Sequence, residues 1–100
     1  MKKLLTAMMA TLFTITSSYA VTLTTWGGAW TEAQIPAYIT EAEKKLGIKI
    51  DLVDYSGGLA EIKAQIEAGD IRWDVIDALS NDTVVGCDEG IFLEVNIDEI

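Results

Sequence analysis

Val21-Thr22-Leu23-Thr24-Thr25, followed at once by Trp26-Gly27-Gly28, decides how this chain is read. The first five residues are β-branched or leucine and alternate as a strand with one buried face requires, and the paired glycines open a loop free of ordinary strand angles. Downstream the same grammar repeats. Thr31-Glu32-Ala33-Gln34 has the spacing of a capping box, and Ile35, Tyr38, Ile39, Ala42 and Leu46 recur at helical intervals until Gly47, which predicts a first helix. Pro36 lies beyond the first helical position and predicts a lost hydrogen bond and a kink in the first turn. Ile48-Lys49-Ile50-Asp51-Leu52-Val53 alternates around Ile48, Ile50 and Leu52 as a second strand, and Tyr55-Ser56-Gly57-Gly58 is a second glycine loop. Leu59, Ile62 and Ile66 mark the buried stripe of a second helix stopped by Gly69, with Lys63 and Glu67 toward its polar side. Trp73 to Ala78 reads as a third strand, Ser80-Asn81-Asp82 as N-cap chemistry for a third helix, and Gly90 as its end.

Three strand–helix units in strict alternation predict an α/β fold, a parallel sheet covered by helices on both faces, with ligands taken at the carboxyl ends of the strands. The loops at that rim are aromatic, small or neutral polar: Trp26, Gly27, Gly28 and Trp30, then Tyr55, Ser56, Gly57 and Gly58, then Leu79, Ser80 and Asn81. Helix N-termini behind such loops favour carboxylate, phosphate or sulfate groups, whereas aromatic faces favour a cation, and both remain open from the residues alone. Neither glycine pair forms a dinucleotide or P-loop pattern, and the glycines could equally do no more than turn the chain.

Composition narrows the functions further. The chain has 100 residues, 50% hydrophobic and 23% charged, an ordinary globular balance that excludes collagen, low-complexity disorder and a multi-domain enzyme. Seven cations face sixteen anions for a net charge of -9, which argues against nucleic acid and against an anionic membrane surface. With no histidine, imidazole catalysis and histidine metal ligation are excluded within these residues. The pairs Asp51 with Asp54 and Asp74 with Asp77 could be offered as metal ligands or as an acid and base. Solvated or backbone-anchoring roles are several-fold commoner for such carboxylates, and Asp74 in particular reads as a local backbone anchor. The residues therefore assign no catalytic group, no metal and no cofactor.

Met1-Lys2-Lys3, an apolar run from Leu4 to Ile15, and the small residues of Ser18-Tyr19-Ala20 predict a secretory signal peptide over 1–20, cleaved after Ala20. The apolar run is shorter than the roughly 20 residues that span a bilayer and is diluted by threonines. Lys2 and Lys3 leave with the leader, so five cations face sixteen anions and residues 21–100 carry a net charge of -11. Cys87 is the one cysteine, and in an oxidising compartment an odd thiol means a missing partner or a reactive group; with no base near it in sequence the disulfide is favoured over a nucleophile, its partner lying outside these residues.

Trp26-Gly27-Gly28-Ala29-Trp30-Thr31-Glu32-Ala33-Gln34, Glu43-Lys44-Lys45-Leu46-Gly47-Ile48-Lys49-Ile50, Gly57-Gly58-Leu59-Ala60-Glu61-Ile62-Lys63-Ala64-Gln65, Trp73-Asp74-Val75-Ile76-Asp77 and Gly86-Cys87-Asp88-Glu89-Gly90 together resemble the N-terminal part of periplasmic solute-binding proteins of ABC importers, in the spermidine/putrescine-binding group. The resemblance implies that residues 21–100 are the beginning of the first of two lobes, a periplasmic-binding-protein-like (type II) lobe that is incomplete by itself. It implies a periplasmic, monomeric, non-enzymatic protein that captures a small polar, polyamine-like solute and hands it to a membrane permease. By position it implies ligand contacts from Trp26, Gly27, Gly28, Tyr55, Ser56, Ser80 and Asn81, and a disulfide from Cys87 to a cysteine further along. An exported enzyme or a sensor module built on the same lobe are the alternatives, with their functional residues downstream.

Overall fold

The computed structural model describes residues 19–99, and the expected signal peptide lies outside them up to residue 18. Strand β1 (Ala20–Thr25) leads into α1 (Gly28–Gln34), which continues through one π-helical turn (Ile35–Ile39) into α2 (Thr40–Leu46). Strand β2 (Lys49–Asp54), α3 (Ala60–Ala68), β3 (Val75–Ile76) and α4 (Ser80–Asp88) follow, and a short 3-10 turn spans Ile97–Glu99. The sheet has the order β2-β1-β3 and is parallel throughout. Its register pairs Ala20 with Lys49 and Thr25 with Asp54 on one side of β1, and Leu23 with Val75 and Thr24 with Ile76 on the other. The alternation read from the sequence is therefore a parallel α/β sheet with β1 in the middle.

Several boundaries differ from the sequence expectation, each for a local reason. Thr31 is no N-cap: the helix begins at Gly28, and the Thr31 hydroxyl instead accepts the Gly27 N–H at 2.9 Å. The expected kink at Pro36 takes the form of the π turn. A ring without an N–H cannot close the usual bond to the carbonyl four residues back and crowds that carbonyl. The widened turn is closed by the Thr40 N–H and hydroxyl, both donating to the Ile35 carbonyl. Ser80 is likewise no cap. Leu79 takes that position with extended angles, and no side chain caps the first turn of α4.

The third strand is shorter than Trp73 to Ala78 because Asp74 ends its ladder with a side chain. The carboxylate accepts the Thr22 N–H at 2.8 Å while the Asp74 N–H reaches the Thr22 carbonyl at 3.2 Å. On the outer strand, the Ile50 N–H is taken by Glu43 Oε1 at 2.8 Å, which ties α2 to the sheet edge and blunts it. Lys63 pairs with Glu89 at 2.6 Å, joining α3 to the end of α4.

The buried set is small: Leu23, Ile39, Tyr55 and Ile62, with Thr24, Thr25, Thr31, Gln34 and Gln65 among them. Ile66, expected on the buried stripe of α3, is 42% exposed. It lines an open apolar groove of about 420 Å³ with Ile71, Trp73, Val75 and Phe92, and a second groove lies between Val21, Leu23 and the Trp30, Gln34 and Tyr38 side of the first helix. The helices therefore flank the sheet without covering it. Asp74→Ala removes a charged acceptor from the Thr22 N–H and is expected to lower unfolding free energy by about 1 kcal/mol, read from urea denaturation; an unchanged midpoint would mean the carboxylate does not hold the end of β3.

Candidate functional site

Residues from the three strand ends meet at one rim. β1 delivers Trp26 directly after Thr25, and the Tyr55 N–H donates to the Thr25 carbonyl at 2.9 Å, so the ladder extends one rung past β2. Trp26 and Tyr55 therefore lie side by side, with ring centroids 5.2 Å apart and planes tilted by 46°. Trp73 meets the far side of Tyr55 edge-on at 5.7 Å. Two glycines are demanded by this packing. Gly57 has φ +84°, and a Cβ there would stand 2.5 Å from Trp26 Cη2; Gly27 has φ +77°, and its Cβ would stand 2.7 Å from Asp54 Oδ2. Gly28 opens α1 with open space around it.

Of the residues expected to contact ligand, Trp26, Gly27 and Tyr55 are thus brought together, and Trp26 is half-buried while Tyr55 is only 9% exposed. The Tyr55 hydroxyl is already engaged, donating to the Asp77 carbonyl at 2.7 Å. Ser56 is exposed beside this pair, and Ser80 and Asn81 are exposed at the start of α4. The second loop and α4 are linked where the Gly58 N–H donates to Asp82 Oδ2 at 3.2 Å. Cys87 is exposed on α4 with a free thiol.

The rim is more acidic than its loop sequences suggest. Asp54 closes β2 and stands against Gly27, Asp77 follows β3 and takes the Tyr55 hydroxyl on its carbonyl, and Asp82 in the first turn of α4 holds the Gly58 N–H, so three acidic residues from outside the glycine loops join the rim. Asp77 is the most connected of them. Its Oδ2 accepts Trp30 Nε1–H at 2.7 Å and Gln34 Nε2–H at 2.9 Å, and the Thr25 hydroxyl lies 3.2 Å away. The loop sequences include Trp30 but could not reveal this, because Asp77 belongs to the third strand by periodicity and Gln34 to the first helix. Among the described residues no three acidic or sulfur side chains gather as a metal site.

Burial, then the negative charges of Asp77 and Asp82, pushes the Tyr55 phenol above its ordinary value near 10. A group held neutral by the fold stabilises it below that pH and withdraws the contribution as pH rises through the folded value. Stability is accordingly expected to fall as pH rises beyond about 10, and Tyr55→Phe to flatten that fall in thermal unfolding scans. A slope unchanged by the substitution would remove Tyr55 as its source.

No family model matches the chain. A curated protein described as gamma-aminobutyric acid-binding protein, from Pseudomonas aeruginosa, is 36% identical over 75 residues, which are 75% of this chain and 21% of that protein. An ABC transporter substrate-binding protein from Bradyrhizobium japonicum USDA 110 superposes with a TM-score of 0.78 at 29% identity, covering 83% of this chain and 26% of that one. The PBP AgtB from A. tumefaciens R10, solved in complex with agropinic acid, superposes with a TM-score of 0.73 at 28% identity, covering 80% and 25%. The chain thus spans about a fifth of the curated relative and a quarter of the solved ones. These relatives are solute-binding proteins, and none is described as belonging to the spermidine/putrescine group. In fold the described residues are a periplasmic-binding-protein-like α/β unit, similar in sequence and shape to the substrate-binding proteins of ABC transporters.

Proposed function

We propose that this chain is part of the extracytoplasmic solute-binding component of an ABC importer, and that its rim contributes one wall of a cleft for a small amine-bearing solute. The observation that carries the reading is the Trp26–Tyr55 pair at the carboxyl end of a parallel sheet, with the Asp54 carboxylate against Gly27 in the first loop and Asp82 holding the Gly58 N–H of the second. An aromatic face beside carboxylates suits an ammonium group, while α4 begins without a side-chain cap and its first-turn N–H groups suit a carboxylate. A solute with both groups, an amino acid or its derivative, fits this combination better than a polyamine, which offers only cations. The relatives named for gamma-aminobutyric acid and solved with agropinic acid support that order.

The relatives are binding proteins, which supports a protein that captures its solute and releases it unchanged. The signal-peptide pattern supports export to the periplasm, and the likeness to solute-binding proteins of ABC transporters supports a monomer that hands its solute to a membrane permease, with Cys87 pairing to a cysteine further along. Ser56, Ser80 and Asn81, all exposed, are the further polar contacts this reading assigns to the solute.

The test is a calorimetric titration of the protein expressed from its complete reading frame with gamma-aminobutyric acid, other amino acids, putrescine and spermidine. Saturable binding of an amino acid without turnover is expected. Preference for a polyamine would restore the spermidine/putrescine reading, and turnover of any bound solute would overturn the binding-protein reading in favour of an enzyme. In the same protein Trp26→Ala is expected to weaken binding about tenfold while preserving the far-UV spectrum; unchanged affinity would take Trp26 out of the cleft.

A further inference from the structure

We propose that Asp77 is the positioning residue of the rim: its side chain and its carbonyl together tie the ends of all three strands, and so hold the Trp26–Tyr55 wall in the geometry that receives solute. The role presupposes that the rim binds a solute.

The ties run in two directions. Through Oδ2, Asp77 holds α1 by the Trp30 indole at 2.7 Å and the Gln34 amide at 2.9 Å, and it lies 3.2 Å from the hydroxyl of Thr25 at the end of β1. Thr25 and Gln34 are also joined to each other, the hydroxyl lying 2.9 Å from Gln34 Oε1. Through its main chain, the Asp77 N–H reaches the Thr24 carbonyl at 2.9 Å, and the Asp77 carbonyl accepts the Tyr55 hydroxyl at 2.7 Å. Trp26 itself does not bond to Asp77. It is placed through Tyr55, whose ring it meets at 5.2 Å, and through Gly57 beneath it.

The neighbours of Asp77 cannot easily release it. Thr25 is fully buried and Gln34 is 9% exposed, so removing the carboxylate leaves a buried amide donor without its acceptor. Such groups are re-satisfied by moving backbone or side chains, here the start of α1 and the loop after β3. That loop carries the carbonyl that fixes Tyr55, so the disturbance reaches the aromatic wall without any contact between Asp77 and the solute. A carboxylate is also better suited than a neutral amide to this position, since donors converge on one oxygen and a charged acceptor shortens and strengthens each bond.

The experiment uses the protein expressed from its complete reading frame, with Asp77→Ala, Asp77→Asn and Trp30→Phe variants. Two readouts are taken well below each variant's unfolding temperature: affinity for the best solute of the panel above, and the tryptophan indole proton resonances in the absence of solute. Asp77→Ala is expected to weaken binding about tenfold or more and Asp77→Asn by less, because the amide keeps an acceptor oxygen. In both, the Trp30 indole proton is expected to exchange faster and the Trp26 resonance to shift, although Trp26 touches neither variant side chain. Trp30→Phe assigns the Trp30 signal and, should Asp77→Ala fail to fold, tests one arm of the tie alone. Folded Asp77 variants with lower melting temperature, unchanged affinity and an unmoved Trp26 resonance would overturn the proposal and reduce Asp77 to a stabilising contact. A wild-type protein that binds none of the solutes, but whose Trp26 resonance still moves on substitution of Asp77, would overturn the solute reading and leave the tie itself standing.

Discussion

The fold depends on β1 being paired along both edges. A parallel strand in the middle of a sheet has N–H and C=O groups paired on either side, and here Asp54 ends β2 opposite Thr25 while Ile76 ends β3 opposite Thr24. Thr24 and Thr25, where β1 is paired and covered, are fully buried, and Trp26 emerges directly from that point. The bond from Tyr55 to the Thr25 carbonyl and the bond from Asp77 to the Thr24 carbonyl are the last rungs of the two ladders. They deliver an aromatic residue and a carboxylate to the same level from opposite sides of the strand.

Around that level, polar and apolar contacts divide the work. Ring packing between Trp26, Tyr55 and Trp73 provides a wall that needs no precise angles, since aromatic pairs tolerate a range of tilts. Directional hydrogen bonds set where the wall stands. At the rim, glycine stands where side chains from a neighbouring segment press against backbone, the Trp26 ring on Gly57 and the Asp54 carboxylate on Gly27. The conformations and the space both exclude a larger residue, so these glycines do more than turn the chain.

The apolar surface of the unit is distributed differently from that of a self-sufficient domain. Val75 and Leu93 are 51% and 93% exposed, and two open grooves run along the sheet on either side of the β3 edge. A length of about a fifth of the curated relative accords with a piece of a larger core. This is why stability and solute binding are both properties to be measured on the complete reading frame.

Periodicity and punctuation determined the order of strands and helices, because alternation at period two and recurrence at period 3.6 are local properties of Val21 to Thr25, Ile35 to Leu46 and Lys49 to Val53. Glycines 47, 69 and 90 ended their helices for the same local reason. The capping box at Thr31 and the cap at Ser80 failed because their side chains had other options or none: Thr31 turned back to Gly27, and the first turn of α4 was left uncapped. The short third strand and the exposure of Ile66 were set by what lies across the sheet or beside the helix, whereas the π turn follows from the Pro36 ring itself. The rim's charge was decided only in three dimensions, where Asp54, Asp77 and Asp82 come from strand ends and a helix start rather than from the loops. So was the joining of Trp30, Gln34 and Asp77, 43 or more residues apart, because a hydrogen-bond network depends on which strand neighbours which, and local sequence does not encode that order.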